Sequence, residues 1–328
     1  MPKPILRDTE IDLSPLLRQK VVILGYGNQG RPQAFNLRDS GVTLKIGARP
    51  ESHKREQALA DGFEVLSIPE ALAWGDVIMM LLPDEVMADA YEKMIAPYLR
   101  AGQSIGFGHG LAIHAGWIHP NPEINVFLVA PKAQGRGVRN KYVAGSGVPG
   151  LYAVHQDPSG NTEAIALAYA KALGCGRIGI MPTTFAEETT CDLFSEQAVL
   201  CGGLTSLIKT AFETLVEGGF SPEVAYFECL YEVKLIADLL HERGINGTRK
   251  AISSTALFGD VSQGDQVIDG HVRENMRRVL DNIVSGRFSE SMRREFAHGK
   301  PEIRRALMRD EQHLIERTHR DLHARLKF

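Results

Sequence analysis

Four consecutive apolar residues, Val21-Val22-Ile23-Leu24, run directly into Gly25-Tyr26-Gly27-Asn28-Gln29-Gly30. A G-x-G-x-x-G that closes an apolar strand and opens a helix constrains this chain more than any other feature in it. The glycines permit a tight turn and close backbone approach. The helix that follows, over 31–40, turns unpaired N–H groups and the positive end of its dipole toward whatever rests on the turn. A diphosphate suits such a site, so Gly25, Tyr26, Gly27, Asn28, Gln29 and Gly30 are read as a dinucleotide-binding turn. A glycine turn without a ligand is the alternative, and the strand–turn–helix context disfavours it.

The remainder of the first half has the texture such a turn requires. Short apolar runs at 42–47, 77–82, 104–107, 125–129 and 151–154 are separated by helix-length segments. Continuous apolar strands alternating with helices indicate βαβ units around a buried parallel sheet. A helix over 162–173 and a last strand at Arg177-Ile178-Gly179-Ile180 complete the pattern. The glycine-rich stretch 135–150 reads as a mobile loop at the mouth of a site. After Pro182-Thr183-Thr184, apolar residues fall at helical spacing instead. Ser221-Pro222-Glu223 reads as a helix start, and His241-Glu242-Arg243-Gly244 as a basic, glycine-terminated helix end. Beyond Pro301 the chain is charged and helix-prone. The prediction is an α/β protein: a Rossmann-type domain over 1–183 and an all-helical domain over 184–328.

Composition narrows the function classes. With 328 residues, 44% hydrophobic and 23% charged, the chain can bury two ordinary globular cores. Lys+Arg 37 against Asp+Glu 40 leaves a net charge of −3, without the basic excess of a nucleic-acid surface. No apolar run approaches the roughly 20 residues of a membrane span. Met1-Pro2-Lys3-Pro4 precedes acidic residues, not a signal-peptide core. Cys175, Cys191, Cys201 and Cys229 have neither metal spacing nor the look of a disulfide framework. The expectation is a cytoplasmic protein with no nucleic-acid or membrane partner.

The end of the second strand decides which dinucleotide is preferred, since acidic residues there favour the NAD ribose and basic ones the NADP phosphate. Arg49, Ser52 and Lys54 point to NADPH, with NADH as the alternative. Glu51 is the counterweight, because it can repel a phosphate or accept ribose hydroxyls.

In the second half Asp192 and Glu196 are four apart, as are Glu228 and Glu232. Residues i and i+4 share one helix face. Both pairs lie among apolar residues and lack a basic partner, an arrangement that is costly if buried without compensation. A hard divalent cation relieves the repulsion, and oxygen-only ligands favour Mg²⁺ or Mn²⁺ over zinc. Four carboxylates can hold two metals about 4 Å apart. A solvated acidic face is the alternative. Glu213 and Glu217 are also four apart but abut Gly218-Gly219, and are read as surface.

These residues together resemble the ketol-acid reductoisomerase family in its short form, over nearly the whole chain. The strongest stretches are Asp192-Leu193-Phe194-Ser195-Glu196-Gln197-Ala198-Val199-Leu200-Cys201-Gly202-Gly203, Ala225-Tyr226-Phe227-Glu228-Cys229-Leu230-Tyr231-Glu232 and Ile252-Ser253-Ser254-Thr255-Ala256. Leu82-Pro83-Asp84-Glu85, Gly108-His109-Gly110 and Val129-Ala130-Pro131-Lys132 match in order and spacing. The resemblance implies a Rossmann domain and a knotted helical domain that dimerises, with an active site shared between subunits; a higher oligomer is left open. It implies two Mg²⁺ and NADPH. The activity it implies is alkyl migration and reduction of 2-acetolactate or 2-aceto-2-hydroxybutyrate to a 2,3-dihydroxy acid, in branched-chain amino-acid synthesis. Asp192 would bridge both metals and Glu196 hold one, while Glu228 and Glu232 hold the other from the partner subunit. Ser253 would meet the substrate carboxylate. His109 would be the catalytic residue, with Lys132 close by; a loop histidine and a structural lysine are the alternatives. Tyr26, Asn28, Gln29, Arg49, Ser52, Asp84, Glu85, Val86, Met87 and Gly135 match cofactor-binding positions, and Lys54 stands where Ser or Thr is common.

The sequence also departs from the family pattern. Arg31-Pro32-Gln33 replaces His-Ala-His, and Ala133-Gln134-Gly135-Arg136 replaces Gly-Pro-Gly-His. Leu257-Phe258 replaces Glu-Tyr, and the segment beyond Ser291 lacks a usual Trp and a usual Gly. The departures surround the site and leave its ligands in place. Three other readings remain at this level: a divergent paralogue acting on a related 2-hydroxy-3-keto acid, a metal-independent two-domain hydroxyacid dehydrogenase, and a non-catalytic NADP-binding protein.

Overall fold

The computed structural model describes residues 2–326. Its first unit is built on one sheet of eight strands in the order β3-β2-β1-β4-β5-β6-β7-β8. These are β1 Val21–Leu24, β2 Leu44–Gly47, β3 Val65–Leu66, β4 Val77–Met80, β5 Ser104–Phe107, β6 Asn125–Pro131, β7 Gly150–Gln156 and β8 Ile180–Pro182. The order reverses beside β1, so the turn after β1 sits at the switch point where such sheets bind dinucleotides. All four residues of β1 are buried, and they alternate between two cores. Val21 and Ile23 meet Ala34, Leu37, Ala58, Val138 and Tyr169 on one face. Val22 and Leu24 meet Leu72, Met87 and Tyr91 on the other. Burial on both faces explains why the strands read as unbroken apolar runs.

Three expectations need correction, and one strand escapes the sequence. The sheet is parallel except for the antiparallel pair β6 and β7. The Lys132 N–H donates to the Pro149 carbonyl at 2.8 Å, so the chain leaves β6 and enters β7 at the same end. The stretch 135–150 is no mobile loop: its first nine residues form the helix Gly135–Val143. That helix packs against the dinucleotide turn, where a Cβ on Gly135 would stand 1.6 Å from the Asn28 carbonyl oxygen. Its glycine therefore permits close approach. The last strand begins at Ile180, and Cys175–Arg177 is a 3₁₀ turn. Finally, β3 is only two residues long and gives no apolar run to read.

The boundary between compact units falls between Thr189 and Thr190, not at 183. The helix Phe185–Ser195 carries the chain across it. Its first turns belong to the sheet unit because Phe185 meets Phe107 and His155 edge-on, at 6.2 and 5.5 Å. The second unit is helical throughout: Gly202–Glu217, Pro222–Tyr226, Val233–Arg249, Ser254–Val267, Gly270–Val284, Arg287–Ala297, Pro301–Glu311 and Leu314–Arg325. Pro222 takes the first helical position after Ser221, and Gly244 at φ 66° interrupts Val233–Arg249 where the basic, glycine-terminated end was read. Two π-helical turns, Glu196–Leu200 and Phe227–Tyr231, interrupt the regular helices. Its core is small, formed by Phe212, Ala225, Tyr226, Ile315 and Leu322. Leu200, Phe220, Leu235, Phe258 and Leu307 are exposed.

The helical run Phe185–Glu217 is long and apolar enough, by length and composition, to cross a membrane. Between Gln197 and Thr214 the only charges are Lys209 and Glu213, while serine, threonine and glycine break up the apolar residues and hide the run in the sequence.

The close contact at Gly135 yields a prediction. Gly135→Ala should lower unfolding stability by about 1–3 kcal/mol through overpacking and weaken dinucleotide binding together with it. Denaturant unfolding and a binding titration check this; an unchanged midpoint would show that the helix is free to move off the turn.

Candidate active site

The dinucleotide turn is shaped by what its glycines allow. Gly25 has φ +99°, and a Cβ there would fall 2.2 Å from the Leu81 carbonyl oxygen. Gly27, between two tightly packed neighbours, has open space over it. The turn is braced from the side chains as well. The Tyr26 hydroxyl donates to Asp61 Oδ2 at 2.8 Å. Gln29 Nε2 donates to the Ala133 carbonyl at 3.1 Å, tying the turn to the segment after β6. Gly30 begins the helix Gly30–Asp39.

The other cofactor candidates lie at the same ends of neighbouring strands. Arg49 follows β2 and is exposed, with Nε 3.7 Å from Glu51 Oε1. The acid that weighed against a phosphate thus faces its own arginine. Ser52 is the N-cap residue of the helix His53–Ala60, and Lys54 Nζ donates to Gln57 Oε1 at 3.0 Å. Asp84, Glu85, Val86 and Met87 form the first turn of the helix Asp84–Ala90 after β4; Met87 is buried and Val86 exposed. Gly135 opens its helix beside Asn28.

A carboxylate missed in the sequence binds the catalytic candidates together. Glu188, with a side chain only 1% exposed, accepts from His109 Nδ1 at 3.1 Å and from Lys132 Nζ at 3.0 Å. The Gly110 backbone N–H donates to the same carboxylate at 3.0 Å. His109 lies after β5 and Lys132 after β6, so the helix Phe185–Ser195 holds two strand ends in register through one residue. Burial pushes the Glu188 carboxyl up, but the His109 hydrogen bond and the His109 and Lys132 charges outweigh it, leaving it below the ordinary glutamate value. With Nδ1–H engaged by Glu188, the ring is oriented and Nε2 is the nitrogen that exchanges a proton in a neutral imidazole. The signal was present: Glu188, Asp192 and Glu196 are spaced by four, and only the last two were read as a pair.

In the helical unit, Asp192 is half-buried and Glu196 exposed, at the end of Phe185–Ser195 and the start of the π turn. Glu228 and Glu232 are both exposed, within and just after the second π turn. π turns recur at functional sites. The four carboxylates do not converge within this chain: among the described residues of this unit, no three candidate ligand atoms gather within 4.8 Å. Ser253 caps the helix Ser254–Val267, its Oγ accepting from the Ala256 N–H at 3.2 Å, which leaves its own hydroxyl proton for a ligand.

The glycine turn, Arg49, Asp84, His109 and Lys132 all follow the C-terminal ends of strands in one sheet. That places the protein among the Rossmann-type oxidoreductases with a helical second domain. Residues 15–179 match the family described as acetohydroxy acid isomeroreductase, NADPH-binding domain, and residues 185–328 match ketol-acid reductoisomerase, C-terminal domain. The chain belongs to the ketol-acid reductoisomerase family. It is 49% identical over 317 residues to a protein of Petrotoga mobilis named ketol-acid reductoisomerase (NADP(+)), covering 97% of this chain and 96% of that one. A solved structure of an NADH-preferring ketol-acid reductoisomerase from an uncultured archaean superposes with a TM-score of 0.97 at 41% identity, covering 99% of this chain and all of that one. A semialdehyde dehydrogenase NAD-binding protein from Cupriavidus necator shares the fold alone, with a TM-score of 0.59 at 20% identity over 80% of this chain and 99% of that one.

Glu188→Ala should cost about 1–3 kcal/mol at neutral pH, because it removes three hydrogen bonds, from the Gly110 N–H, His109 and Lys132. Since the folded carboxyl titrates below its unfolded value, its stabilisation is complete above about pH 4.3 and is lost as pH falls through the folded pKa. The stability gap between wild type and Glu188→Gln should therefore narrow in acid. Urea midpoints from pH 3 to 7 measure it, and a gap that widened in acid would reverse the assignment.

Proposed function

We propose that this protein is a Mg²⁺-dependent, NADPH-linked ketol-acid reductoisomerase. It converts 2-acetolactate or 2-aceto-2-hydroxybutyrate to a 2,3-dihydroxy acid by alkyl migration and reduction, a cytoplasmic step of branched-chain amino-acid synthesis. One observation carries the reading. Glu188, clamped between His109 and Lys132, begins a series of carboxylates at four-residue spacing that continues with Asp192 and Glu196. The first is compensated by protein cations; the next two are oxygen donors of the type a hard cation takes. Asp192 and Glu196 would hold Mg²⁺ together with Glu228 and Glu232. The ions supply Lewis-acid polarisation of the carbonyl and ease removal of the hydroxyl proton.

The chain's own groups do the rest. The turn at Gly25, Gly27 and Gly30 and the residues Arg49, Ser52 and Lys54 seat NADPH. Asp84, Glu85, Val86, Met87 and Gly135 flank the cofactor. His109 moves a proton at Nε2 while Glu188 holds the ring, and Lys132 keeps positive charge beside it. Ser253 donates to the substrate carboxylate. The NADP(+) in the Petrotoga relative's name and the NADH preference of the archaeal protein bracket the cofactor choice; Arg49 and Lys54 favour NADPH.

A second copy of the chain completes the site. Glu228 and Glu232 are exposed, and Val224, Tyr231, Leu235 and Ile236 around them are exposed as well. Apolar residues left in water to this extent mark an interface. The reading is a homodimer in which Glu228 and Glu232 serve the partner's Asp192 and Glu196.

Absorbance of NADPH with 2-acetolactate should fall in Mg²⁺ and stay flat in EDTA. Asp192→Asn should abolish turnover and metal binding while NADPH affinity stays within about twofold. Normal turnover by that variant would remove the metal assignment. Turnover only with other 2-hydroxy-3-keto acids would favour the divergent-paralogue reading, to which the replacement of Glu-Tyr by Leu257-Phe258 points. Mixed dimers of Asp192→Asn and Glu228→Gln chains should recover part of the activity; verified heterodimers with none would argue against a shared site.

A further inference from the structure

Two departures from the family pattern, far apart in sequence, meet in space. Arg31 and Arg136 line one cavity of about 680 Å³ beside the dinucleotide turn. Tyr26, Lys54, Gln57 and Arg139 line it too, and among the described residues no Asp or Glu does. Two of its four cations are compensated from behind. Arg31 Nε and NH2 donate to Asp61 at 2.7 and 2.9 Å, and Tyr26 donates to the same carboxylate. Arg139 NH1 reaches Asp39 at 2.7 Å and Asn36 Oδ1 at 2.9 Å. These bonds orient the guanidiniums without using them up: Asp61 takes two of Arg31's five N–H donors. Among the described residues Lys54 meets the neutral Gln57 and no carboxylate, and no carboxylate pairs with Arg136. A concave surface with two oriented and two uncompensated cations, and no acid in its wall, takes an anion.

The place of the cavity says which anion. It includes Gly27, the open residue of the turn, and Lys54 on the helix that follows β2. We propose that Arg31 and Arg136 hold a phosphate group of the bound dinucleotide, in addition to Arg49 and Ser52. This rests on the NADPH reading above and deepens it by naming this chain's own specificity-determining residues. Arginine in both places, where the family pattern has histidine, keeps the cavity charged across physiological pH. Its fork also suits the paired oxygens of a phosphate.

Calorimetric titration of the intact, metal-free protein with NADPH and with NADH tests this. The variants are Arg136→Gln, which has no ion pair to lose, and Arg31→Gln, with thermal unfolding as the check on folding. Each should weaken NADPH about tenfold, the loss of one charge-assisted hydrogen bond. If NADH is unaffected, the group held is the ribose phosphate; if both cofactors weaken equally, it is the diphosphate. Affinities within twofold of wild type for both cofactors in both variants overturn the proposal. Wild-type protein that bound neither dinucleotide would sink the cofactor reading instead. Inorganic pyrophosphate, titrated alongside, then tests the cavity alone, and unchanged pyrophosphate affinity in Arg136→Gln would overturn it.

Discussion

A single buried carboxylate organises the centre of this protein. Glu188 accepts from a histidine after one strand, a lysine after the next and a backbone N–H between them. Burying a carboxylate is unfavourable by several kcal/mol unless charge and hydrogen bonds compensate it. Here the compensation comes from the two candidate catalytic residues, His109 and Lys132, and from the Gly110 N–H. Orienting His109 and stabilising the fold at this point are therefore one interaction. Removing Glu188 would take one acceptor from Lys132 and from the Gly110 N–H, and would take from the His109 ring the bond that orients it.

The dinucleotide turn depends on a second constraint, the closeness of backbones. Gly25 lies against the Leu81 carbonyl and Gly135 against the Asn28 carbonyl. A side chain at either position would push a neighbouring element away. Between these contacts Gly27 remains uncovered, so tight packing on both sides produces an opening at the helix end of the kind that suits a diphosphate. The same contact at Gly135 brings Arg136 and Arg139 to the turn, which is how a helix after the sixth strand comes to share a cavity with residues of the first and second βα units.

Much of this was legible in the sequence. Strands buried on both faces leave continuous apolar runs, so β1, β2, β4, β5, β6 and β7 could be placed within a few residues. The two-residue β3 could not, because such a segment carries no periodicity. The antiparallel β7 was also hidden, since direction is set by where the connecting helix docks and not by the strand's own residues. Glycine richness at 135–150 misled for a related reason: the same residue serves a mobile loop and a close contact, and composition does not separate the two. Glu188 carried a signal in its spacing to Asp192, but its burial and its partners come from segments 56 and 79 residues away.

The candidate pair His109 and Lys132 came from the family resemblance; by itself the sequence determined the Rossmann-type half, its dinucleotide-type glycine turn and the helical character of the second half. Each rests on local rules: periodicity, glycine spacing and helix geometry. Tertiary structure alone decided that His109 and Lys132 share one buried carboxylate, that Arg31 and Arg136 face one cavity, and that Glu228 and Glu232 stand exposed among apolar neighbours. Those facts depend on long-range packing, which brings together residues that no local pattern relates.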